Sequence, residues 1–208
     1  MKKNLFNIFG FIKNGIKAFM IYDVNIKNSL KIAADLINNG EIIIYPTDTI
    51  YGFGVDATNE KAVSKLNKLK KRQQVYSIIV NSFTMLEKYA QIDLKLKNKI
   101  YNYLPGPYTL ILKNNNSNNL CSLVTLELET IGVRTPDYFF PCQLVKLINK
   151  PIVTTSVNLH NTKPLHKIND FQQQFPDINI FRDMETSMKL KSSKIIDLTT
   201  SEMKILRK

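Results

Sequence analysis

The sequence predicts an α/β protein built on a single open sheet flanked by helices. Short apolar runs rich in β-branched residues, such as 42–44 and 152–153, are typical of buried strands, and they alternate with longer stretches of helical periodicity. Pro46 and Pro136 each end such a run, because proline cannot donate to the hydrogen-bond ladder of a sheet. A chain of 208 residues is long enough for one well-buried domain.

The individual elements follow from periodicity and from their end signals. Residues 25–39 place apolar side chains at helical spacing, and Asn39-Gly40 is a typical helix stop. Asn59 is the predicted N-cap of a second helix, which runs to residue 69. Further helices are predicted at 82–89, 93–103 and 142–148, and further strands at 77–80, 130–134, from 151 onward and after the turn at 105–107.

The segment 41–57 joins a predicted strand to a loop crowded with hydroxyl groups and one carboxylate at 47–51. In an open α/β sheet, ligands bind where strands end and loops begin. Two other interpretations stay open here. One is an ordinary strand, turn and helix cap. The other is a G-x-G-x-x-A dinucleotide loop at 52–57, which is disfavoured because 70–72 read Lys-Lys-Arg where a ribose-binding acid is expected.

The chain is strongly basic, with a net charge of +12 and a pI near 9.6, which predicts attraction to nucleotides, pyrophosphate or RNA. Nearly all of this charge is lysine, so part of it reflects composition. The four arginines, Arg72, Arg134, Arg182 and Arg207, are more informative, because a planar guanidinium binds phosphate or carboxylate bidentately. The cation run at 68–72 exceeds what a helix C-terminus needs, which favours an anionic partner.

Three predicted strands run into polar segments. Residues 47–49 follow the first strand, Arg134 ends the strand at 130–134, and residues 154–158 bring hydroxyls and an amide to the end of the last one. Because ligands bind outside the ends of strands in open sheets, we expect these groups to share one site at one edge of the sheet.

The remaining rare residues favour a reduced, cytoplasmic protein. Cys121 and Cys142 form no C-x-x-C pair, and with the two histidines they make no ligand set, so no protein-held metal is predicted. Residues 1–19 are apolar and basic, but the apolar run is too short for a membrane span. This extension is either an amphipathic arm or sequence upstream of a true start at Met20. The second interpretation is preferred, and it leaves 20–208 as the domain.

Five short motifs are spread along the chain in order. They are Pro-Thr-Asp-Thr-Ile-Tyr-Gly at 46–52, Lys-Lys-Arg at 70–72, Pro-Gly-Pro-Tyr-Thr at 105–109, Ile-Gly-Val-Arg-Thr-Pro-Asp at 131–137 and Thr-Ser-Val-Asn-Leu at 155–159. Their order and spacing resemble the signatures of the YrdC-like (TsaC) family of threonylcarbamoyl-AMP synthases. The resemblance implies a single-domain, twisted, mixed open sheet with a basic concave face.

The resemblance also implies a function. Enzymes of that family are nucleotidyltransferases that make threonylcarbamoyl-AMP and pyrophosphate from ATP, L-threonine and bicarbonate, for the threonylcarbamoyladenosine modification of tRNA. Downstream threonylcarbamoyl-transfer proteins are then expected to move the group onto the tRNA. Mg²⁺ is expected to arrive with ATP and to be held mainly by phosphates, because the sequence offers no carboxylate cage. No tightly bound prosthetic group and no membrane partner are expected.

Roles for particular residues follow from the same resemblance. Lys70 and Arg72 are expected to act in catalysis. The residues expected to bind L-threonine are Thr49, Arg134, Thr154 and Ser193, with Arg134 as the partner of the carboxylate. The residues expected to bind ATP are Arg72, Tyr76, Thr130, Ser156, Asn158 and Arg207.

Some positions depart from the family pattern. Tyr76 lies in a Gln-Gln-Val-Tyr-Ser-Ile segment where the family usually has a proline followed by a lysine or asparagine, and Val157 replaces a small alanine. These departures, together with the positive charge, motivate an alternative hypothesis. In it the chain is a non-catalytic module on the same fold that binds tRNA or double-stranded RNA.

Overall fold

The computed structural model describes residues 19–116, 119–184, 191–200 and 202–208. The predicted N-terminal extension at 1–19 therefore lies almost entirely outside the described residues, and its role stays a prediction. The described part contains no helix that is both long enough and apolar enough to cross a membrane.

Helices and strands alternate along the chain. The strands are β1 (Ile21–Asp23), β2 (Ile43–Tyr45), β3 (Gly52–Asp56), β4 (Ser77–Ile79), β5 (Tyr108–Lys113), β6 (Thr130–Arg134), β7 (Ile152–Ser156), β8 (Asn179–Arg182), β9 (Lys194–Asp197) and β10 (Lys204–Arg207). The helices are α1 (Ser29–Asn38), α2 (Glu60–Lys70), α3 (Phe83–Tyr89), α4 (Leu94–Tyr101), α5 (Ser122–Thr125), α6 (Phe139–Ile148) and α7 (Ile168–Gln174).

The described strands form one sheet in the order β1-β8-β2-β3-β7-β4-β6-β5-β9-β10. The pairs β2–β3, β3–β7, β7–β4, β6–β5 and β9–β10 are antiparallel, whereas β1–β8, β8–β2, β4–β6 and β5–β9 are parallel. A single-domain α/β fold with a mixed open sheet is thereby confirmed.

The helix ends follow the predicted cap chemistry. The Asn59 side chain accepts a hydrogen bond from the backbone N–H of Ala62 and so caps α2, as predicted from the sequence. Helix α6 begins at Phe139, three residues before the predicted start at residue 142. The reason is that Pro141 lies in the first helical turn, where a missing N–H costs no intrahelical hydrogen bond.

Segment 52–56 is a strand and not a glycine-rich loop. Strand β3 is hydrogen-bonded to β2 on one side and to β7 on the other, so the dinucleotide-loop interpretation of this segment is wrong. One face of β3 carries Phe53, which packs edge-on against Phe175 and lies under the Lys70 ammonium of α2. The opposite face carries Gly52 and Gly54.

This second face of the sheet carries small residues, glycine, serine and threonine, on four neighbouring strands. The strand register aligns Gly54 with Thr154, Thr154 with Ser77, and Ser77 with Gly132. A Cβ on Gly132 would lie 2.5 Å from the Ser77 hydroxyl oxygen, and a Cβ on Gly54 would lie 2.6 Å from Tyr45 Cε1. Glycine is therefore required where the Tyr45 ring and the Ser77 hydroxyl approach the backbone, and the face stays open to a ligand.

Gly54→Ala is expected to destabilise the protein by roughly 1–3 kcal/mol, because the added methyl group cannot avoid the Tyr45 ring. Chemical denaturation measures the change in the free energy of unfolding. Gly52→Ala is the matched control, since its Cβ would meet Thr154 Oγ1 only at 3.3 Å. An equal cost for the two variants would contradict the close approach of Tyr45 to β3.

Candidate active site

A cavity of about 260 Å³ lies on the face of the sheet that carries Gly54, Thr154, Ser77 and Gly132. Eight of the residues predicted from the sequence line it: Thr49, Arg72, Tyr76, Arg134, Thr154, Ser156, Ser193 and Arg207. The lining also includes Thr155, from the predicted polar segment 154–158, and four residues for which the sequence predicted no role, namely Gln74, Ser77, Thr109 and Ser192. The cavity therefore combines three guanidinium groups with a wall of hydroxyls.

The site is built on a sheet face and not at one edge of the sheet, so the predicted common edge is wrong. Strands β2 and β7 run in one direction, but β6 runs in the opposite one, because it is parallel to β4, which is antiparallel to β7. Arg134 at the end of β6 is four strands away from β2, a lateral distance of about 19 Å in a flat sheet. It nevertheless contacts the loop after β2. The sheet must therefore curl, with that loop folding back over its face.

The contact that closes the cavity is a buried ion pair. Arg134 Nη2 donates to Asp48 Oδ1 at 2.7 Å and to Thr49 Oγ1 at 3.2 Å. The two side chains of the ion pair are only 7% and 8% exposed. Asp48 Oδ2 also accepts the backbone N–H of Asp137 at 3.1 Å. Arg134 Nε is buried and has no hydrogen-bond partner among the described residues.

Burial lowers the pKa of Arg134, and the nearby Asp48 carboxylate opposes that shift. An arginine stays charged at any physiological pH. The charge of Arg134 is therefore partly balanced by Asp48, which lies at one edge of the guanidinium.

The opposite wall is held together by the C-terminal strand. Arg207 Nε donates to the Ser193 carbonyl oxygen at 2.8 Å, and Arg207 Nη2 donates to Ser193 Oγ at 3.0 Å. Ser193 Oγ is also 2.7 Å from Thr109 Oγ1. Burial, and then the charge of Arg134, lower the pKa of Arg207. The two guanidiniums therefore repel each other across the cavity, which favours an anion between them.

Lys70 lies beneath the cavity instead of lining it. Its side chain is fully buried. Nζ donates to the carbonyl oxygens of Ser156 and Asn158 at 2.7 and 2.9 Å and to Asn158 Oδ1 at 3.1 Å. Asn158 is fully engaged as well, because Oδ1 also accepts from Ser156 Oγ and Nδ2 donates to the carbonyl oxygens of Leu159 and Thr162. Lys70 and Asn158 thus fix the loop that presents Ser156.

The segment that departs from the family pattern turns its polar groups away from the cavity centre. Tyr76 Oη donates to Asn67 Oδ1 on α2 at 2.7 Å, and burial raises the pKa of Tyr76 to about 12. Gln74 Nε2 donates to Thr155 Oγ1 at 3.2 Å. Arg72 Nε is buried and lacks a partner among the described residues. Arg72 is therefore a cation of the cavity with free donor capacity.

The model of the Sua5/YciO/YrdC family, whose description reads "Telomere recombination", matches residues 35–208. The chain belongs to this family. Among curated relatives, the threonylcarbamoyl-AMP synthase of Enterobacter sp. (strain 638) is 31% identical over 179 residues, which are 84% of this chain and 93% of the relative. The putative threonylcarbamoyl-AMP synthase of Methanocaldococcus jannaschii is 36% identical over 148 residues, 69% of this chain and 68% of the relative.

Solved structures of the Sua5/YciO/YrdC family share the fold. Sua5 of P. abyssi complexed with L-threonine superposes with a TM-score of 0.79 at 27% identity, over 90% of this chain and 57% of that one. A variant of the same Sua5 gives a TM-score of 0.83 at 28% identity. This chain spans 60% of that variant's length. YciO of E. coli, at 20% identity, shares the fold with a TM-score of 0.80 over 95% of its chain.

Three of the predicted residues, Lys70, Asn158 and Thr130, do not line the cavity. Lys70 and Asn158 hold the loop that presents Ser156, whereas Thr130 lies apart from the site. It pairs with Lys113 at the far end of β6, four residues before Arg134, and does not line the cavity. Conversely, no site role was predicted for Asp48 or Thr109, although both lie inside family motifs. Their roles as partners of Arg134 and Ser193 depend on strand order, which local patterns do not contain.

Asp48→Asn is expected to destabilise the protein by about 3–5 kcal/mol, because it leaves the Arg134 charge buried without a counter-charge. Urea denaturation measures this change. Glu87→Gln is the control. It breaks a solvent-exposed pair with Lys97 at 3.9 Å and should cost no more than about 1 kcal/mol. Similar costs for both variants would show that the Arg134–Asp48 pair is not buried in solution.

Lys70 gives a prediction for the dependence of stability on pH. Burial, and then the charge of Arg72, lower the pKa of Lys70 from 10.5 to about 7. Between these values the unfolded chain binds more protons than the folded one, so the stability contributed by Lys70 rises with pH. The stability lost in Lys70→Met should therefore be larger at about pH 9 than at about pH 7 in urea titrations. The exposed Lys65→Met is the control, and a loss independent of pH in Lys70→Met would contradict the burial of the ammonium.

Proposed function

We propose that this protein is a threonylcarbamoyl-AMP synthase, a nucleotidyltransferase that joins L-threonine, bicarbonate and ATP and releases pyrophosphate. The observation that carries the proposal is the cavity in which Arg72, Arg134 and Arg207 meet a wall of hydroxyls. Relatives at 30–36% identity bear the name of this activity, and a Sua5 structure of 27% identity was solved with L-threonine. These findings support an enzyme, and the reaction class is our inference.

The chemistry requires several negative charges to be brought together. The amine nitrogen of threonine bonds to the carbon of bicarbonate, a carbon–oxygen bond of the bicarbonate breaks, and the oxygen leaves as water, which gives a carbamate. A carbamate oxygen then bonds to the α-phosphorus of ATP, and the bond from that phosphorus to the β-phosphate oxygen breaks as pyrophosphate leaves. Positioning of the reactants and neutralisation of the developing charge are the main contributions that a protein makes to such a displacement.

The threonine end of the cavity is assigned to Arg134 and its neighbours. Asp48 occupies one part of the Arg134 guanidinium, so the carboxylate of threonine would bind the part of the guanidinium that lines the cavity. Thr49, Thr154 and Ser193 surround that position with hydroxyl groups. Hydroxyls of this kind can donate to the carboxylate and exchange hydrogen bonds with the hydroxyl of the substrate.

The nucleotide end is assigned to Arg72, Ser156 and Arg207. The guanidinium of Arg72, which lines the cavity, can donate to phosphate oxygens, and Arg207 also lines it, beside Ser193. A volume of about 260 Å³ lies below the roughly 300–1,000 Å³ of typical ligand sites. The cavity therefore suits threonine and the reacting phosphate, with the rest of ATP extending outward past Gln74 and Tyr76.

Mg²⁺ is proposed to come with the nucleotide. Within the residues that the structure describes, no three His, Cys, Asp or Glu side chains are grouped so that they could hold a metal ion. Phosphate oxygens would therefore supply most of its ligands, as is common for Mg²⁺. When bound, the ion would neutralise charge on the leaving pyrophosphate.

Lys70 and Asn158 are proposed to act as positioning residues. Neither side chain is free to reach a phosphate, because the Lys70 ammonium and the Asn158 amide bind each other and the backbone of the loop at 156–162. Their contribution would be to hold Ser156 at the cavity wall.

The product is proposed to pass to proteins that transfer the threonylcarbamoyl group to tRNA. The RNA-binding alternative receives no separate support from the site. Its arginines line a cavity and not an open groove, whereas binding of tRNA or double-stranded RNA requires cations arranged along an exposed surface.

Arg72→Ala is expected to lower kcat/KM for pyrophosphate release about 100-fold or more, because a donor to the transferring phosphate is lost. Arg72→Lys should restore only part of it, since lysine keeps the charge without the planar fork. Release is measured from ATP with and without L-threonine and bicarbonate, and the adenylate is identified by mass.

The matched control is Lys68→Ala, which removes an exposed cation from the last turn of α2, just before Arg72 and outside the cavity lining. It should leave kcat/KM within about twofold. Release from wild-type protein that needs neither L-threonine nor bicarbonate would overturn the proposed reaction. An Arg72→Ala enzyme of full activity would overturn the site.

A further inference from the structure

Three buried polar side-chain atoms have no hydrogen-bond partner among the described residues, and all three lie at or beside the cavity. They are Arg72 Nε, Arg134 Nε and the hydroxyl oxygen of Tyr45. Buried polar groups in proteins are almost always hydrogen-bonded, so such a cluster marks a functional site. The two arginines face the ligand in the proposed site, but Tyr45 has no role yet.

Tyr45 is the last residue of β2 and is completely buried. Its ring lies against the glycine face of β3. A Cβ on Gly54 would be 2.6 Å from Tyr45 Cε1, and a Cβ on Gly52 would be 3.8 Å from Tyr45 Cζ. A larger residue at Gly54 would therefore displace this ring, whereas a Cβ on Gly52 would only contact it. The close packing of the ring on Gly54 holds the Tyr45 hydroxyl in place.

Thr154 lies between that hydroxyl and the cavity. The same Cβ on Gly52 would be 3.3 Å from Thr154 Oγ1 and 3.8 Å from Tyr45 Cζ, so both hydroxyl-bearing side chains approach the same glycine. Thr154 lines the cavity and Tyr45 does not. Burial raises the pKa of Tyr45 well above its usual value, and the nearby Thr154 and Arg134 lower it less. Tyr45 therefore keeps its proton and can act as a hydrogen-bond donor.

We propose that the Tyr45 hydroxyl is a positioning group for the substrate amino acid, and that it acts through Thr154. When Tyr45 donates to Thr154 Oγ1, the threonine hydroxyl directs its own proton into the cavity, towards an anionic oxygen of the ligand. This inference rests on the proposed function, because it assigns the oxygen to the carboxylate or carbamate of L-threonine. Tyr45 itself would not contact the substrate. It would set the direction in which the Thr154 hydroxyl donates its hydrogen bond to the substrate.

The test is Tyr45→Phe, which removes one oxygen atom and keeps the ring on Gly54. The KM for L-threonine should rise about threefold to tenfold, which corresponds to the loss of one net hydrogen bond, while kcat stays within about twofold. The thermal midpoint should change little, because Thr154 lines the cavity and its hydroxyl can then exchange hydrogen bonds with water. A lower midpoint with unchanged KM would overturn the proposal and assign a structural role.

A double-mutant cycle tests the route through Thr154. In a Thr154→Val background, Tyr45→Phe should have no further effect on the KM for L-threonine or on its dissociation constant measured by calorimetry. An additive effect would show that Tyr45 acts independently of Thr154 and would overturn the proposal. Tyr89→Phe is the control, since it removes a buried hydroxyl that donates to Asn119 at 3.3 Å away from the cavity.

Failure of the proposed function and failure of the proposed role of Tyr45 would give different results. If wild-type protein released no pyrophosphate in response to L-threonine and bicarbonate, the proposed function would fail, and this inference would fall with it. If wild-type protein were active but Tyr45→Phe kept the KM of wild type for L-threonine, the function would stand and only the role of Tyr45 would be overturned.

Discussion

The buried ion pair between Arg134 and Asp48 is the interaction on which the candidate site depends. It joins the end of β6 to the loop after β2, which are four strands apart in the sheet order. The net attraction within such a pair is small, but removal of either partner leaves a lone buried charge, which costs several kcal/mol. The pair thereby fixes the loop over the sheet face and holds Arg134 at the cavity wall.

A second buried cation supports the other side of the cavity. Lys70 has three donors, and three oxygens from the loop at 156–158 accept them. Lys70 ends α2 and lies two residues before Arg72. One turn of backbone therefore supplies both Lys70, which holds the loop, and Arg72, which lines the cavity. The positive charge of the family motif at 70–72 is thus divided between holding the loop and facing the ligand.

Much of the fold could be predicted because local signals were strong. Buried β-branched runs marked β2 and β7, and Asn59 marked the start of α2. Strand β3 was missed because glycine is depleted in strands, and its Gly54 is explained only by the Tyr45 ring packed on it. No local pattern could show that ring, since it comes from the neighbouring strand.

Part of the site could also be predicted from the sequence. In a chain whose cations are mostly lysine, three of the four arginines line the cavity, so rarity was a useful signal. The expected shared edge was wrong because strand direction is a property of the whole sheet. Lys70 was expected at the nucleotide, but its ammonium turns back towards the loop, and a sequence does not show the direction in which a long side chain is buried.

The measurement that tests this account most directly is a titration of ¹⁵N-labelled full-length protein with L-threonine, followed by backbone amide shifts, with D-threonine as the control. The account predicts that L-threonine shifts the amides around Thr49, Arg134, Thr154 and Ser193. A larger hollow of about 580 Å³, lined by Asp93, α4 residues and 198–200, offers an alternative binding position. Shifts confined to that hollow, or equal shifts with the D-enantiomer, would contradict the assignment of the cavity as the threonine site.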